Sequence, residues 1–341
     1  MRLRHAASSG RLCRPTRAVS SQPPGAAEAT SAERMQCGPL SVVHVAPAEQ
    51  RTDRPLVLVH GAFHGAWYMR PLQELLAREF GVRSYALDLK KGALKTSEAH
   101  MQDVRAALAD LDLDRPTLFG HSQGGLVVQQ LLHEASAGSS AGAVVNAGAA
   151  VFCACMRLGS NRHTLSMQKN ILLDDIPGLL RMYRGIFLQG RVMRLPDVEY
   201  TRRVFLNPET ESIPWWHNET EDAGSGPLGG ELREASLDAY FERLDEAGDA
   251  LPSHLNYSFV RWLQGVPRFD LDALNFRAGT KFRSLAVHAE NDVIFGPECA
   301  ESIARDFKAD HLLGRGQAHC FLDRGWEDAF ARPLGQWLIQ D

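Results

Sequence analysis

The stretch that decides the fold is Leu118-Phe-Gly-His-Ser-Gln-Gly-Gly125. It contains the G-x-S-x-G spacing around Ser122, in which a serine occupies a sharp turn between a strand and a helix. A β-prone run, Thr117-Leu-Phe119, precedes the turn, and helical apolar spacing over 124–134 follows it. Only small residues fit on either side of such a turn, which accounts for the two flanking glycines. The pattern predicts that the Ser122 hydroxyl is exposed at the edge of a sheet, at the start of a helix.

The segments around this stretch alternate between strand and helix patterns. Strands are predicted from apolar, β-prone runs over residues 42–45, 55–59, 82–89, 117–119, 143–150, 284–288 and 311–313. Helices are predicted from helical apolar spacing over residues 66–80, 97–111, 124–134, 297–307 and 326–339. This alternation implies an α/β fold with a mostly parallel central sheet flanked by helices.

The alternation is interrupted between residues 157 and 280. Helical patterns in this interval cover residues 171–187, 198–205 and 236–245, with loops rich in glycine and proline between them. The α/β pattern resumes afterwards with a strand that would otherwise lack neighbours. We therefore expect a helical cap, 157–280, inserted into a core formed by 37–156 and 281–341. An independently folding second domain is the alternative.

The first 36 residues have a different composition. Arg2, Arg4, Arg11, Arg14 and Arg17 occur with serine, alanine and proline, and no acidic residue precedes Glu28. An arginine-rich, serine-rich and acid-poor segment is typical of an organelle transit peptide. We expect residues 1–36 to be disordered and, as a transit peptide, to direct the protein to a chloroplast or mitochondrion. The alternatives are a start at Met35 and a cytoplasmic protein.

Composition excludes several classes of function. The 341 residues carry a formal net charge of −4 without a basic stripe, so no nucleic-acid partner is predicted. No apolar run reaches the roughly 18 residues of a transmembrane helix. Cys153 and Cys155 lie in an apolar run and are expected to be buried small side chains. The cysteines and histidines lack ligand spacing, so neither a metal nor a cofactor is predicted.

A serine nucleophile needs a base that is itself oriented by a carboxylate. On this kind of sheet the chain order is nucleophile, acid, base. Asp292 follows the strand at 284–288, with Glu290 as the alternative acid, and His319 lies in a glycine-rich loop before the last helix. Ser122, Asp292 and His319 are therefore predicted to meet where the parallel strands end.

Acyl transfer also requires two N–H groups that receive the developing oxyanion. One is predicted to come from Gln123, directly after the serine, and the other from Ala62, in the loop after strand 55–59. His60 and His64 flank this loop and are given structural roles. His121 is expected to pack or to support the site.

Together, the run His60-Gly-Ala-Phe-His-Gly-Ala-Trp67, the serine turn and the loops of Asp292 and His319 resemble the α/β-hydrolase superfamily. The chain is most similar to the small esterases of the plant methylesterase and hydroxynitrile lyase group and to their bacterial relatives. The resemblance covers about residues 40–341 and is weak in the cap. Within that group, the lyases carry a threonine and a lysine where this chain has Gly61 and Cys320. Haloalkane dehalogenases and epoxide hydrolases have an aspartate in place of Ser122.

These features predict cleavage of a carboxylic ester of a small or medium-sized substrate through an acyl-enzyme on Ser122. Cofactor-free lyase or C–C hydrolase chemistry on the same residues stays open, as does a hydrolase-like ligand receptor. The cap is a candidate for setting specificity, through an acidic or aromatic substrate. It carries a pair of tryptophans, Trp215-Trp216, and many arginines, among them Arg181, Arg184, Arg191, Arg194, Arg202 and Arg203. The sequence leaves the oligomeric state undetermined.

Overall fold

The computed structural model describes residues 30–89, 97–137, 145–160, 177, 192–193, 195–217, 226–228, 231–247, 249–250, 269–279 and 281–340. Its strands are β1 (Ser31–Cys37), β2 (Leu40–Ala46), β3 (Leu56–Val59), β4 (Ser84–Asp88), β5 (Thr117–His121), β6 (Ala149–Cys153), β7 (Val192–Met193), β8 (Ser212–His217), β9 (Gly226–Pro227), β10 (Glu231–Ser236), β11 (Asp249–Ala250), β12 (Arg283–Ala289) and β13 (Asp310–Gly314). Nine of these strands form one sheet in the order β13-β12-β6-β5-β3-β4-β2-β1-β9.

The six strands from β13 to β4 are mutually parallel, and β2, β1 and β9 are added in antiparallel fashion. The described helices are α1 (Ala66–Phe80), α2 (Ser97–Leu111), α3 (Gln123–Ser136), α4 (Val198–Phe205), α5 (Leu237–Ala247), α6 (Leu271–Ala278), α7 (Pro297–Phe307) and α8 (Arg332–Ile339). Two helix pairs, α1 with α8 and α2 with α3, pack at the sheet. The predicted fold class, a mostly parallel sheet flanked by helices, is confirmed.

Burial explains why the central strands could be read from sequence. All residues of β3 and β5 are buried, as expected for parallel strands covered on both faces. The strand predicted over 143–150 is instead β6, at Ala149–Cys153. The apolar run continues past residue 150 without a turn signal, so composition alone did not define the strand's ends. Cys153 and Cys155 are buried free thiols, as predicted.

The predicted limit of the N-terminal segment at residue 36 is wrong. Ser31–Cys37 forms β1 and pairs with β2 along its whole length. The strand escaped prediction because its charged residues interrupt the apolar pattern. Those charges are used locally: Glu33 contacts Nδ1 of His44 (3.0 Å), and Arg34 donates to the Ser41 hydroxyl (3.2 Å). The remainder of the predicted transit segment, residues 1–29, lies outside the described residues.

The cap, residues 157–280, is not purely helical. The predicted helix at 198–205 is confirmed as α4, and that at 236–245 corresponds to α5. Between them, however, β8 and β10 form an antiparallel pair, and β9 joins the edge of the main sheet. Pairing across 14 or more residues of chain is a tertiary property that local propensity does not report. The predicted helix over 171–187 lies outside the described residues except for residue 177.

Candidate active site

Ser122 lies on a strained turn between β5 and α3. Its backbone has φ 52° and ψ −120°, a conformation that L-residues rarely adopt and that costs on the order of 1–3 kcal/mol. Close packing holds the turn. A Cβ on Gly120 would lie 2.6 Å from the carbonyl oxygen of Gly124, and a Cβ on Gly124 would overlap the carbonyl oxygen of Val59. The turn places the partly exposed serine at the carboxyl end of β5, beside the first turn of α3.

Asp292 and His319 form a buried hydrogen-bonded pair. They follow β12 and β13, which are parallel neighbours, so their loops meet at one edge of the sheet. Nδ1 of His319 lies 2.9 Å from Oδ2 of Asp292, and both side chains are 1% exposed. The second carboxylate oxygen accepts the N–H groups of Ile294 (2.8 Å) and Phe295 (3.1 Å). The fixed carboxylate therefore keeps the imidazole proton on Nδ1 and leaves the Nε2 lone pair of His319 available.

The alternative acid, Glu290, has a different role. Its Oε2 accepts the N–H of Gly316 at 2.7 Å, in an exposed position. The contact closes the loop that carries His319, but it is Asp292 that binds the imidazole. Of the two carboxylates considered from sequence, the structure brings Asp292 to the histidine.

His121 links the serine turn to the His319 loop. Its Nε2 donates to the carbonyl oxygen of His319 (2.9 Å). Its Nδ1 is buried with no hydrogen-bond partner among the described residues, and a Cβ on Gly61 would lie 3.1 Å from it. Burial, followed by the nearby His319, lowers the pKa of His121 to about 3. His121 is thus neutral at neutral pH, and it fixes the backbone of His319, as the expected supporting role requires.

The loop after β3 runs beside Ser122 and is held by two histidines. The N–H of Leu89 donates to Nε2 of His60 (3.0 Å), so the His60 proton lies on Nδ1 and is donated to the carbonyl of Gly61 (2.7 Å). Nδ1 of His64 donates in the same way to the carbonyl of Ala62 (2.7 Å). The sequence predicted no more than a structural role for either histidine. The Gly61 carbonyl and the Ala62 N–H belong to one peptide group, so the donor predicted from sequence is held in a fixed orientation.

Aromatic side chains surround the His319 ring. Phe205, at the end of α4, lies 5.9 Å from it between ring centroids, and Phe295 lies 5.6 Å from it. Phe63, on the loop after β3, packs against Phe205 at 6.4 Å. All three are almost fully buried. No sequence pattern indicated these three residues, because a phenylalanine in a loop or a cap helix gives no sign of the surface that it will contact.

A buried carboxylate joins the cap to the His319 loop. Asp323 is 2% exposed, and its Oδ1 accepts the N–H of Asn207 (2.8 Å) and the hydroxyl of Thr210 (2.5 Å). Its Oδ2 accepts the N–H of Ala318, next to the histidine (2.8 Å). Asp323 therefore holds a cap segment and the His319 backbone together, a role that no sequence pattern indicated.

Two of the six cap arginines singled out from the sequence lie within the described residues, and both are engaged in local contacts. Arg202 binds Glu199 and donates to the carbonyl of Pro208 (2.9 Å), and Arg203 lies over the Tyr200 ring at 5.5 Å. Arg181, Arg184, Arg191 and Arg194 lie outside the described residues. The contacts of Arg202 and Arg203 offer no argument for an acidic substrate.

Trp215, one of the two cap tryptophans noted in the sequence, joins the cap to the core. Trp215 stacks on Trp67 of α1 at 4.9 Å between ring centroids. Arg243 of α5 lies over both rings, 5.6 Å from Trp67 and 5.9 Å from Trp215. The stack therefore fixes the position of α5 on the core.

With this geometry in hand, the chain can be placed in a family. Residues 56–332 match the Alpha/beta hydrolase family, and the chain belongs to that family. No curated protein sequence matches the chain.

Solved structures share the fold at low identity. A candidate non-heme bromoperoxidase, BpoC, from Mycobacterium tuberculosis H37Rv aligns with TM-score 0.53 and 15% identity, over 90% of this chain and 98% of its own. A proline iminopeptidase from Mycobacterium smegmatis aligns with TM-score 0.52 and 14% identity, over 90% and 97%. A carboxylesterase structure from Nitrososphaera gargenis aligns with TM-score 0.51 and 13% identity, over 90% and 98%. These similarities establish the fold, and membership of the family supports hydrolase activity.

None of the helices in the described part of the chain is long and apolar enough to cross a membrane. Within the same residues, no group of three or more histidine, cysteine, aspartate or glutamate side chains is arranged to hold a metal ion.

Proposed function

We propose that the protein is a serine esterase that cleaves a carboxylic ester through an acyl-enzyme on Ser122. The observation that carries the proposal is the buried His319–Asp292 pair, at the same sheet edge as a serine on a strained turn. A histidine ordered in this way supplies the base that a neutral hydroxyl lacks. The strained turn presents that hydroxyl at the start of a helix, where developing negative charge is favoured.

The reaction follows from these positions. Nε2 of His319 takes the proton as Ser122 Oγ attacks the ester carbonyl carbon. The resulting oxyanion is received by the N–H of Ala62 and by that of Gln123, the first residue of α3. His319 then returns the proton to the departing alcohol. Water, activated by the same imidazole, releases the acid and frees the serine.

The aromatic surroundings of His319 favour an apolar acyl group. Phe205 and Phe295 place apolar surface beside the imidazole, and Phe63 extends it behind Phe205. A charged group there would lose solvation without gaining a partner. This argues for small to medium-sized aliphatic or aromatic esters as substrates. We also propose that the protein is related to the esterases of the plant methylesterase group.

Cyanohydrin cleavage fits the same residues less well. A departing cyanide needs a nearby cation, and the lysine of the plant lyases is replaced here by Cys320. Burial raises the pKa of the Cys320 thiol well above its ordinary range. The neutral thiol provides no positive charge, so ester cleavage is the better assignment.

Replacing Ser122 tests the proposal directly. Ser122→Ala should reduce turnover of short aryl esters by at least about 10⁴-fold, because the nucleophile is removed, and should abolish labelling by a fluorophosphonate. Ser136→Ala, on the same helix, removes a hydroxyl that donates to the carbonyl of His133 and should leave both readouts unchanged. Full turnover by Ser122→Ala, with the melting temperature preserved, would show that the proposal is wrong.

A further inference from the structure

We propose that the cap sets the geometry of the oxyanion hole through a single hydroxyl group. The hydroxyl of Tyr240, on cap helix α5, holds His64, and His64 holds the loop that presents the Ala62 N–H. Tyr240 is then a positioning residue for attack by Ser122. The inference rests on the proposed function, since it assigns a role in the same reaction.

The contact of His64 with the Ala62 carbonyl fixes the direction of the hydrogen bond between His64 and Tyr240. Nδ1 of His64 lies 2.7 Å from the carbonyl oxygen of Ala62. A carbonyl only accepts, so the imidazole proton is on Nδ1 and Nε2 carries a lone pair. Nε2 lies 2.7 Å from the hydroxyl of Tyr240, which must therefore donate to it. The chain runs from the Tyr240 O–H, through the His64 ring, to the carbonyl of Ala62.

The same hydroxyl is also tied to the residue after the catalytic histidine. The oxygen of Tyr240 lies 3.4 Å from Sγ of Cys320, and because its own proton is given to His64, the thiol is the donor of this bond. The carbonyl of Cys320 in turn accepts from the hydroxyl of Tyr68. Tyr240 is thus the point where the oxyanion loop and the His319 loop are connected through a cap side chain.

Burial keeps the protonation states of His64 and Tyr240 constant around neutral pH. His64 is 1% exposed and Tyr240 is fully buried. Burial and the nearby His121 hold the pKa of His64 well below its ordinary value, and burial raises that of Tyr240 well above its own. The imidazole stays neutral and the phenol stays protonated. Hydrogen bonds among such shielded groups are stronger than those in water, and an unpaired group there is costly.

The expected consequence concerns the transition state. A ground-state carbonyl makes weak demands on the Ala62 N–H, whereas the tetrahedral oxyanion requires it at a defined position. Without the Tyr240 hydroxyl, Nε2 of His64 keeps only the longer and weaker contact to Sγ of Cys320 (3.6 Å) among the described residues, so the imidazole can turn away from the loop. Loss of this hydroxyl should therefore lower kcat and leave KM nearly unchanged.

The experiment compares Tyr240→Phe with wild type and with the matched control Tyr85→Phe. The Tyr240 ring packs against Trp67 (6.2 Å) and His64 (5.9 Å), contacts that a phenylalanine ring retains. Tyr85 stacks on His44, between strands β4 and β2, away from the site. For Tyr240→Phe we expect about a tenfold loss of kcat, KM within about twofold, and an unchanged shape of the pH profile. Tyr85→Phe should match wild type.

A pair of inhibitors isolates the oxyanion hole. An aryl trifluoromethyl ketone adds the serine to form an oxyanion, whereas the matching methyl ketone binds chiefly as a ground-state analogue. Tyr240→Phe should weaken the first by about tenfold and the second by less than twofold. Equal weakening of both inhibitors, or no change in kcat, would overturn the inference.

A second pair of variants keeps the test decisive if Tyr240→Phe does not fold. His64→Gln retains one donor and one acceptor, whereas His64→Leu retains neither. The inference expects His64→Gln to keep several-fold more activity than His64→Leu, and equal losses would contradict it. If the wild-type protein neither hydrolyses aryl esters nor reacts with a fluorophosphonate, the proposed function itself fails. An active wild type with a fully active Tyr240→Phe overturns the inference alone.

Discussion

The sheet and the cap contribute to the site in different ways. Ser122, Asp292 and His319 each follow the end of a parallel strand, so strand order and strand length bring them to one edge. The cap residues reach the site through bonds between distant parts of the chain: Tyr240 to His64 across 176 residues, and Thr210 to Asp323 across 113. The sheet supplies the groups proposed to react, and the cap fixes the loops that hold them.

The largest expected effect lies in the sheet. Asp292→Asn should lower kcat by about 10⁴-fold, because an amide no longer selects the imidazole tautomer with its proton on Nδ1. Glu290→Gln is the matched control two residues earlier. Among the described residues, the side chain of Glu290 accepts the exposed N–H of Gly316 and does not contact the imidazole, so this variant should stay within about threefold of wild type. Initial rates with a short aryl ester, together with melting temperatures, provide the measurement.

Equal losses in the two variants would remove the distinction between a carboxylate that contacts the imidazole and one that only closes a loop. A large loss confined to Glu290→Gln would reverse the assignment of the acid.

The next effect lies at the junction of cap and sheet. Asp323→Asn should destabilise the protein by about 2–3 kcal/mol. Both buried carboxylate oxygens accept hydrogen bonds, whereas an amide has one oxygen and its NH2 group cannot accept. Asp328→Asn removes the negative charge of an exposed ion pair with Arg332 and should cost less than about 0.5 kcal/mol. Urea unfolding of both variants measures the difference. Similar urea midpoints for the two variants would mean that the bonds of Asp323 contribute no more to stability than the exposed contact between Asp328 and Arg332.

The smallest expected effect is a dependence of stability on pH that comes from His121, the last residue of strand β5. The pKa of His121 is about 3 in the folded protein and about 6.5 in the unfolded chain. Between these values the unfolded chain binds more protons, so the free energy of unfolding falls as pH decreases below about 6.5. His121→Gln should reduce the loss between pH 7.5 and pH 5 by about 2 kcal/mol.

Urea titrations at the two pH values measure this slope, and His311→Gln serves as control because it removes an exposed histidine. A slope unchanged by His121→Gln would show that His121 takes up its proton without unfolding.

Much of the sheet could be predicted, and the reasons are local. Continuous apolar runs such as β3 and β5 are buried on both faces, and the glycines around Ser122 are required by the turn itself. The edge strand β1 could not be predicted, since its charged residues find their partners on β2. The β8–β10 pair was missed for a similar reason: each strand gains its bonds only from the other.

The same division applies to the site. The order of Ser122, Asp292 and His319 along the chain is what predicted them among many serines, acids and histidines, and the structure brings Asp292 to His319. Phe205, Tyr240 and Asp323 carry no comparable pattern, because what they contact depends on how the cap folds onto the sheet. The sequence therefore predicted the residues proposed to react, but not the residues that surround and position them.

The short strand β9 has a consequence for the protein in concentrated solution. An uncovered sheet edge is a template on which a second copy can add a strand and begin to aggregate. Along β1, that edge is occupied by Gly226 and Pro227, opposite Arg34 and Glu33. Proline has no N–H to offer to a further strand, and the next residue, Leu228, gives its N–H back to Ala32. A piece of the cap thus blocks the addition of a further strand at Ala32, Glu33 and Arg34 of β1.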